Sequence, residues 1–453
     1  MCKYLYLLTI LYRNTHCLKS LNFLYFALLT ILDSTEEGKI VKATRSQNMK
    51  YVVIAMLFLG WSLGNFDRFI INFAILDISK ELNLTDSLTG IVLSSFFAGY
   101  ALMQIPGGWL ADRFGYRKVL IITILVWSIF TVLTGVAWSF ISLITIRFLF
   151  GIGEGSYFPA ASKGIANWFP KNERSKAMSI MLISGSIMGV VAPIAGTFLM
   201  KLMGWRAIFY IVGALGGLVA LCFVFFVKER KSSNSVQHEQ IPQTKTPLKD
   251  VLRTPMIWQL FISYFSIYAV NWGLMSWMPM YLSKVKGLEL TAVGIYSAIP
   301  AFVGIFAMLC SGYILDKMSQ GKDKIVAGIF ALVAGGFLLL MATASNMIIF
   351  TICQSVVTVM LSFNIILITT VPLKTLPESI IGTANGFINT GAQFAGVLTP
   401  MLIGFLVEAF GGSYNAAFTM LICFTIVCAV SLFLIKPNKQ TVAIHSPTNK
   451  LID

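Results

Sequence analysis

Four charged side chains stand inside stretches that are otherwise apolar: Asp67 and Arg68 in NFDRFIINFA, and Arg147 and Glu154 in IRFLFGIGEGSYFPA. A charge at the centre of an apolar helix in lipid costs about 2.5–3.5 kcal/mol on insertion scales, so residues of this kind face an internal cavity and have a role. The chemistry divides between them. A guanidinium keeps its proton and grips a carboxylate through two N–H groups. A carboxylate in a site that closes and dries is driven towards its neutral form, and a nearby arginine drives it back. Arg68 is therefore the candidate for holding a substrate's carboxylate, with Arg147 beside it, and Asp67 and Glu154 are the candidate proton carriers. The alternative is a permanent ion-pair network that ties two helices together, although buried pairs are poor stabilisers.

Helical geometry decides which of these groups share a face. Arg147 and Glu154 are seven residues apart, two turns of one helix. Asp67 and Arg68 are neighbours, and the 3.6-residue period aims them about 100° apart. Other polar and aromatic groups fall on the same kind of helix. Tyr100 offers a phenol that bonds a hydroxyl or a carboxylate. Tyr268 and Trp272 are four apart on one face, among Tyr264, Asn271 and Trp277, and an aromatic stripe of this kind serves either packing or a cavity wall. Asn389 and Gln393 are also four apart, and with Asn364 and Thr369 they either bond sugar hydroxyls or tie helices together.

The elements that must position these groups follow from composition. Of 453 residues, 57% are apolar and only 12% charged, against about 25% charged in a soluble domain. So many all-round apolar helices face lipid, because a chain of this size has no core large enough for them. At about 1.5 Å per residue and a hydrocarbon core about 30 Å thick, the expected spans are 51–75, 88–110, 117–137, 140–161, 177–200, 207–227, 256–280, 292–314, 325–344, 347–371, 382–407 and 414–435. Pro159 is expected to bend the fourth. Glycines at 151, 153 and 155, at 185 and 189, and at 382, 386 and 391 are read as close-packing positions.

The net charge of +15 is not a nucleic-acid footprint, because the basic residues sit in short segments between apolar runs. With the 51–75 span starting inside, Arg113, Arg117, Lys118, Lys171, Arg174, Lys176, the Lys228–Arg253 cluster, Lys317, Lys322, Lys324 and Lys374 fall on the inner side. Lys80, Lys201, Arg206, Lys284 and Lys286 fall on the outer side. The excess of inner Lys and Arg places both ends of the twelve-helix unit in the cytoplasm. The seven cysteines form no CxxC pair and the three histidines lie outside the spans, so no metal site is expected. No GxxxxGK[ST] phosphate loop, catalytic triad or cofactor motif is present, so neither an enzyme nor a nucleotide-driven pump is expected.

The spans divide as a 49–227 half, a polar 228–255 cytoplasmic linker, a 256–436 half and a 437–453 cytoplasmic tail. Residues 1–48 are apolar in part but interrupted by Lys3, Arg13 and Lys19. They read as an extra helix, as a targeting segment, or, the reading preferred, as an extension upstream of a start at Met49.

Each half carries a similar loop. GWLADRFGYRK (Gly108–Lys118) follows the second span and GYILDKMSQGKDK (Gly312–Lys324) the eighth. The first resembles the signature loop of the major facilitator superfamily, and the second is its weaker copy. The resemblance implies an all-α membrane protein with two pseudo-symmetric six-helix halves, in which the first and fourth helices line a central cavity. It also implies that Gly108, Asp112, Arg113 and Arg117 latch the inner ends of the halves in one conformation, with Asp112 facing the positive end of a neighbouring helix. NFDRFIINFA, FFAGYALMQIPGGWLADRFG and IRFLFGIGEGSYFPA further resemble the anion:cation symporter family, above all its bacterial sugar-acid transporters of galactonate, glucarate and hexuronate.

That resemblance implies import of a small organic anion by proton symport through alternating access. The proton is then the coupling ion, no cofactor is needed, and the protein works as a monomer in the inner membrane. It makes Asp67 and Glu154 the protonation sites, Arg147 the partner of Glu154, and Tyr100 a substrate contact. Another carboxylate, sodium coupling, or a transporter-derived sensor are the alternatives.

Overall fold

The structure is a computed structural model that describes residues 36–227, 229, 254–318, 322–376 and 378–435. The 1–35 part of the N-terminal extension, nearly all of the 228–255 linker, the 437–453 tail and the side chains of Lys171, Lys322, Lys374 and Gly382 lie outside the described residues. The compact unit that begins at Ile54 holds the helical bundle.

Every regular element among the described residues is a helix. In order they are α1 (Glu36–Glu81), α2 (Asp86–Phe114), α3 (Tyr116–Gly135), α4 (Phe140–Gly155), α5 (Tyr157–Trp168), α6 (Lys171–Phe226), α7 (Pro255–Lys284), α8 (Leu290–Lys317), α9 (Lys322–Thr343), α10 (Met347–Thr375), α11 (Glu378–Ala409) and α12 (Asn415–Phe433). In hydrocarbon, backbone polar groups must be satisfied within the protein, and a helix does so within its own segment. Nine helices among the described residues are long and apolar enough to cross a membrane. That number takes α6 once and leaves out α4, α5 and α7, whereas the expectation of twelve spans takes α6 as two, α4 with α5 as one, and α7 as one.

Three boundaries differ from the sequence expectation. Helix α1 starts at Glu36 rather than near 51, since no proline intervenes and the Lys, Ala, Arg, Gln and Met of that stretch favour helix. The 140–161 span breaks between α4 and α5 at Ser156. The cause is Pro159, which lacks the N–H that would bond the carbonyl of Gly155. The 177–200 and 207–227 spans are two helices, as expected, but they meet within α6 with no loop between them, at Gly204, whose φ of 80° and ψ of 163° suit glycine.

Packing brings two sets of helices against each other. In the first half α2 lies so close to α4 that a Cβ on Gly151 would stand 2.8 Å from the amide nitrogen of Tyr100, and one on Gly155 would stand 2.7 Å from the Tyr100 carbonyl. This close approach carries α4's charges in beside α2. In the second half α7 packs on α11 and α12, and α9 on α10 and α12. Between the halves, α2 packs on α11 and α6 on α8.

The α2–α11 seam is tight where α2 begins. The Met401 amide donates to Ser94 Oγ (3.1 Å), the Ser87 amide donates to Glu408 Oε2 (2.9 Å), and Lys284 Nζ of α7 reaches Asp86 Oδ1 (2.7 Å). Towards the other end Ile105 and Trp109 of α2 are 83% and 54% exposed, and Asn389 of α11 is exposed. The halves are thus joined at the Asp86 end.

Candidate functional site

All four intramembrane charges meet, and they meet in crossed pairs. Arg147 Nη1 is 2.8 Å from Asp67 Oδ1, and Arg68 Nη2 is 2.6 Å from Glu154 Oε1. The resemblance pairs Arg147 with Glu154; the structure instead gives Arg147 to Asp67 and Glu154 to Arg68. The reason is reach. Arg147 and Glu154 are two turns apart on α4, about 10 Å along the axis, while α1 sets one opposite charge beside each.

Asp67 and Arg147 are each 1% exposed, Glu154 is fully buried, and the Arg68 side chain is 10% exposed. Each carboxylate uses one oxygen in its pair. Asp67 Oδ2, Glu154 Oε2 and Arg68 Nε are buried with no hydrogen-bond partner. An unsatisfied buried polar atom of this kind carries a free-energy penalty of about 1–3 kcal/mol, more for a charged group. A proton on the free carboxylate oxygen, or an anion against the free guanidinium edge, would relieve it.

Aromatic rings form the rest of the wall. The Arg68 guanidinium lies 4.8 Å from the Tyr100 ring, 5.0 Å from Phe96 and 5.8 Å from Trp61; that of Arg147 lies 4.4 Å from Phe150 and 5.7 Å from Phe96. Such cation–π contacts contribute about 2 kcal/mol or more when desolvated. They hold the cations without using up their donors.

A narrow gap of about 10 Å³, room for about one water molecule, lies beside these pairs. Arg68, Ile71 and Asn72 of α1, Leu93, Phe96 and Phe97 of α2, Arg147 of α4, and Trp272, Met275 and Ser276 of α7 line it. It therefore lies between the halves. Its mixture of apolar walls with a few placed polar groups is that of a small-molecule site.

Of the residues expected on sequence grounds, Arg68, Arg147 and Trp272 line the cavity. Tyr100 stands behind Arg68. Tyr268 stacks 5.8 Å behind Trp272, its phenol 3.4 Å from that of Tyr264. The Trp272 indole N–H is engaged on the Ala392 carbonyl of α11 at 3.2 Å, so Trp272 presents its ring and not its donor. Asn389 is exposed and Gln393 half-buried, and neither is among the residues lining this cavity.

Asn72 and Ser276 were not singled out from sequence. Asn72 carries a usable signal, since it follows Arg68 by one turn and its amide donates weakly to the Arg68 carbonyl at 3.5 Å. Ser276 carries none, because its hydroxyl donates to the Trp272 carbonyl at 2.6 Å, as serines in apolar helices commonly do. Phe96 and Phe97 read as ordinary core residues.

At the 108–118 loop, Asp112 Oδ1 pairs with Lys163 Nζ of α5 at 3.0 Å, and the same amine donates to the Ala111 carbonyl at 2.9 Å. The Asp112 side chain is 78% exposed, so its partner is a lysine of its own half and not a helix terminus. A Cβ on Gly108 would stand 3.7 Å from Pro159 Cβ, Arg113 lies over Trp109 and Phe114, and Arg117 donates to the Val224 carbonyl at 2.6 Å. All of these partners belong to the first half.

Comparison with known proteins agrees with this architecture. The family described as Major Facilitator Superfamily matches residues 57–400. A probable sulfoacetate transporter of Cupriavidus necator is 30% identical, over 88% of this chain and 96% of its own. A probable galactarate/D-glucarate transporter of Escherichia coli is 27% identical, over 90% of this chain and 99% of its own. Among solved structures, a bacterial homologue of the human lysosomal transporter Spinster, inward-facing and occupied, superposes with a TM-score of 0.71 at 22% identity, covering 84% of this chain and 96% of that one.

Proposed function

The chain belongs to the major facilitator superfamily, a family of multi-pass membrane transporters and not of enzymes, and we propose that it imports a sugar acid together with protons by alternating access. The observation that carries this reading is the pair of buried carboxylates, Asp67 and Glu154, each paired to an arginine through one oxygen and unpartnered at the other.

The steps follow from that geometry. A substrate carboxylate entering the cavity competes for Arg68, which has a free Nε edge and a second half-engaged guanidinium, Arg147, beside it. As Arg68 turns to the substrate, Glu154 loses its counter-ion in a buried place, and a proton becomes the better partner. Asp67 stands in the same relation to Arg147. Anion and proton therefore favour each other's binding, which is the thermodynamic content of symport. Asn72 and Ser276 are placed to meet hydroxyls, and Trp272 and Phe97 to meet the carbon skeleton.

Relatives described as carriers of sulfoacetate and of galactarate and glucarate support an organic anion of this size. The rocking of one half on the other, around a midplane site, would expose the cavity to each side in turn. Joined at the Asp86 end, the structure is the state open towards the 108–118 loop, which the Lys and Arg distribution assigns to the cytoplasm of a bacterial inner membrane. The working unit is a monomer.

The test is uptake of a labelled panel (galactarate, glucarate, galactonate, glucuronate, sulfoacetate) into proteoliposomes, with inward proton or sodium gradients applied separately. Proton-driven accumulation of a sugar acid, lost in Arg68→Ala, is expected. Sodium-driven uptake, or accumulation of sulfoacetate alone, would replace the coupling ion or the substrate respectively.

A further inference from the structure

Among the described residues, Phe96 is the aromatic ring that lies against both cations of the site. Its ring centroid is 5.0 Å from the Arg68 guanidinium carbon and 5.7 Å from that of Arg147. The ring is itself held on three sides, by Phe97 at 5.1 Å, Phe150 at 5.5 Å and Tyr100 at 5.6 Å. Its backbone is fixed as well, because its carbonyl lies against Gly151, at a separation that leaves no room for a Cβ. Phe96 is 3% exposed and also lines the cavity. It is a rigid apolar body on which two guanidinium groups rest.

Such a body has an electrostatic consequence. Asp67 and Arg68 are adjacent in sequence, so the pairs Asp67–Arg147 and Arg68–Glu154 lie side by side, and Glu154 feels the charges of Asp67 and Arg147 as well as that of Arg68. The groups that face these carboxylates are Arg68 from α1, Arg147 from α4 and the Tyr100 phenol from α2; α7 contributes only Trp272, Met275 and Ser276 to the cavity. The face of an aromatic ring attracts both cations at once, and so keeps each guanidinium at its own carboxylate.

The geometry points to Phe96 as a positioning residue that keeps the two ion pairs separate, so that Asp67 and Glu154 gain and lose protons as two sites and not as one shared network. This rests on the reading of those carboxylates as the proton carriers. Without the ring, the four charges merge, and two strongly interacting groups then titrate as a pair with apparent values that belong to neither.

The experiment is an infrared pH titration of the carboxyl stretch in purified full-length protein in lipid, without substrate. Asp67→Asn and Glu154→Gln assign the bands. In the wild type, two separable steps are expected. In Phe96→Leu, at least one step moves by about one pH unit, a tenfold change in proton affinity. Phe96→Tyr, which keeps the ring face, keeps the wild-type steps. Should Phe96→Leu not fold, Phe96→Met, of similar volume and without a ring, carries the same expectation. Wild-type steps in the ringless variant would overturn the role of Phe96 alone. A wild type in which neither carboxyl titrates would overturn the proton-carrier reading and this inference with it.

Discussion

Arg147 and Asp67 lie 80 residues apart in sequence and 2.8 Å apart in space, each 1% exposed. A pair so buried adds little net stability, but removing one partner strands the other, at about 3–5 kcal/mol. Arg147→Met should therefore lower the thermal midpoint in detergent markedly, whereas Arg147→Met combined with Asp67→Asn should recover most of the loss. A double variant as unstable as the single one would mean that the two residues do not depend on each other.

Arg68 and Glu154 are expected to separate binding from coupling. Arg68→Lys keeps the charge and loses the planar fork, and should weaken substrate binding by about tenfold to a hundredfold, on the order of the 1.5–3 kcal/mol of a charged hydrogen bond. Glu154→Gln should bind substrate and exchange it across the membrane while losing gradient-driven accumulation. Counterflow and uptake measured on the same proteoliposomes distinguish the two.

Asn72 and Ser276 face the cavity from opposite halves. Asn72→Ala should raise the dissociation constant for a hydroxylated acid by about fivefold, the equivalent of one neutral hydrogen bond of about 1 kcal/mol. It should leave a non-hydroxylated dicarboxylate of equal length unaffected. Equal losses for both ligands, read by calorimetry, would remove Asn72 from hydroxyl recognition.

How much of this site was legible in the sequence depends on what each residue would cost if misplaced. Asp67, Arg68, Arg147 and Glu154 stand out because charges in apolar helices are too unfavourable to be incidental. Their pairing does not stand out, since it depends on the crossing of α1 and α4, which glycines such as Gly151 and Gly155 set through α2. The second half is less readable for a physical reason. A serine such as Ser276 satisfies itself on its own helix, so its position on a cavity wall leaves no trace in composition. Asn389 and Gln393 share a face as expected, yet neither lines the cavity beside the ion pairs. Helix boundaries behaved likewise: Pro159 announces a break, and the break at Gly204 falls in the 201–206 gap left between two spans, although nothing marks that glycine out among 36.

The seam at the Asp86 end should set the conformational balance. Glu408 reaches across from α11 to the first-turn amide of α2, a carboxylate at a helix N-terminus, and Lys284 reaches Asp86. Each such contact contributes about 0.3–1 kcal/mol where partly exposed. Glu408→Gln with Lys284→Ala should therefore shift the population several-fold towards the state open at this end. Spin labels on Ile105 and Asn389 should report a larger fraction of short distances; an unchanged distribution would deny the seam this role.

The most direct test of proton symport is proton movement itself. Proteoliposomes containing a pH-sensitive dye and no imposed gradient are given the sugar acid that the uptake panel selects. The wild type should acidify the lumen as substrate enters, and Glu154→Gln should produce no acidification. Substrate entry by the wild type with no change in luminal pH would contradict proton symport through Asp67 and Glu154.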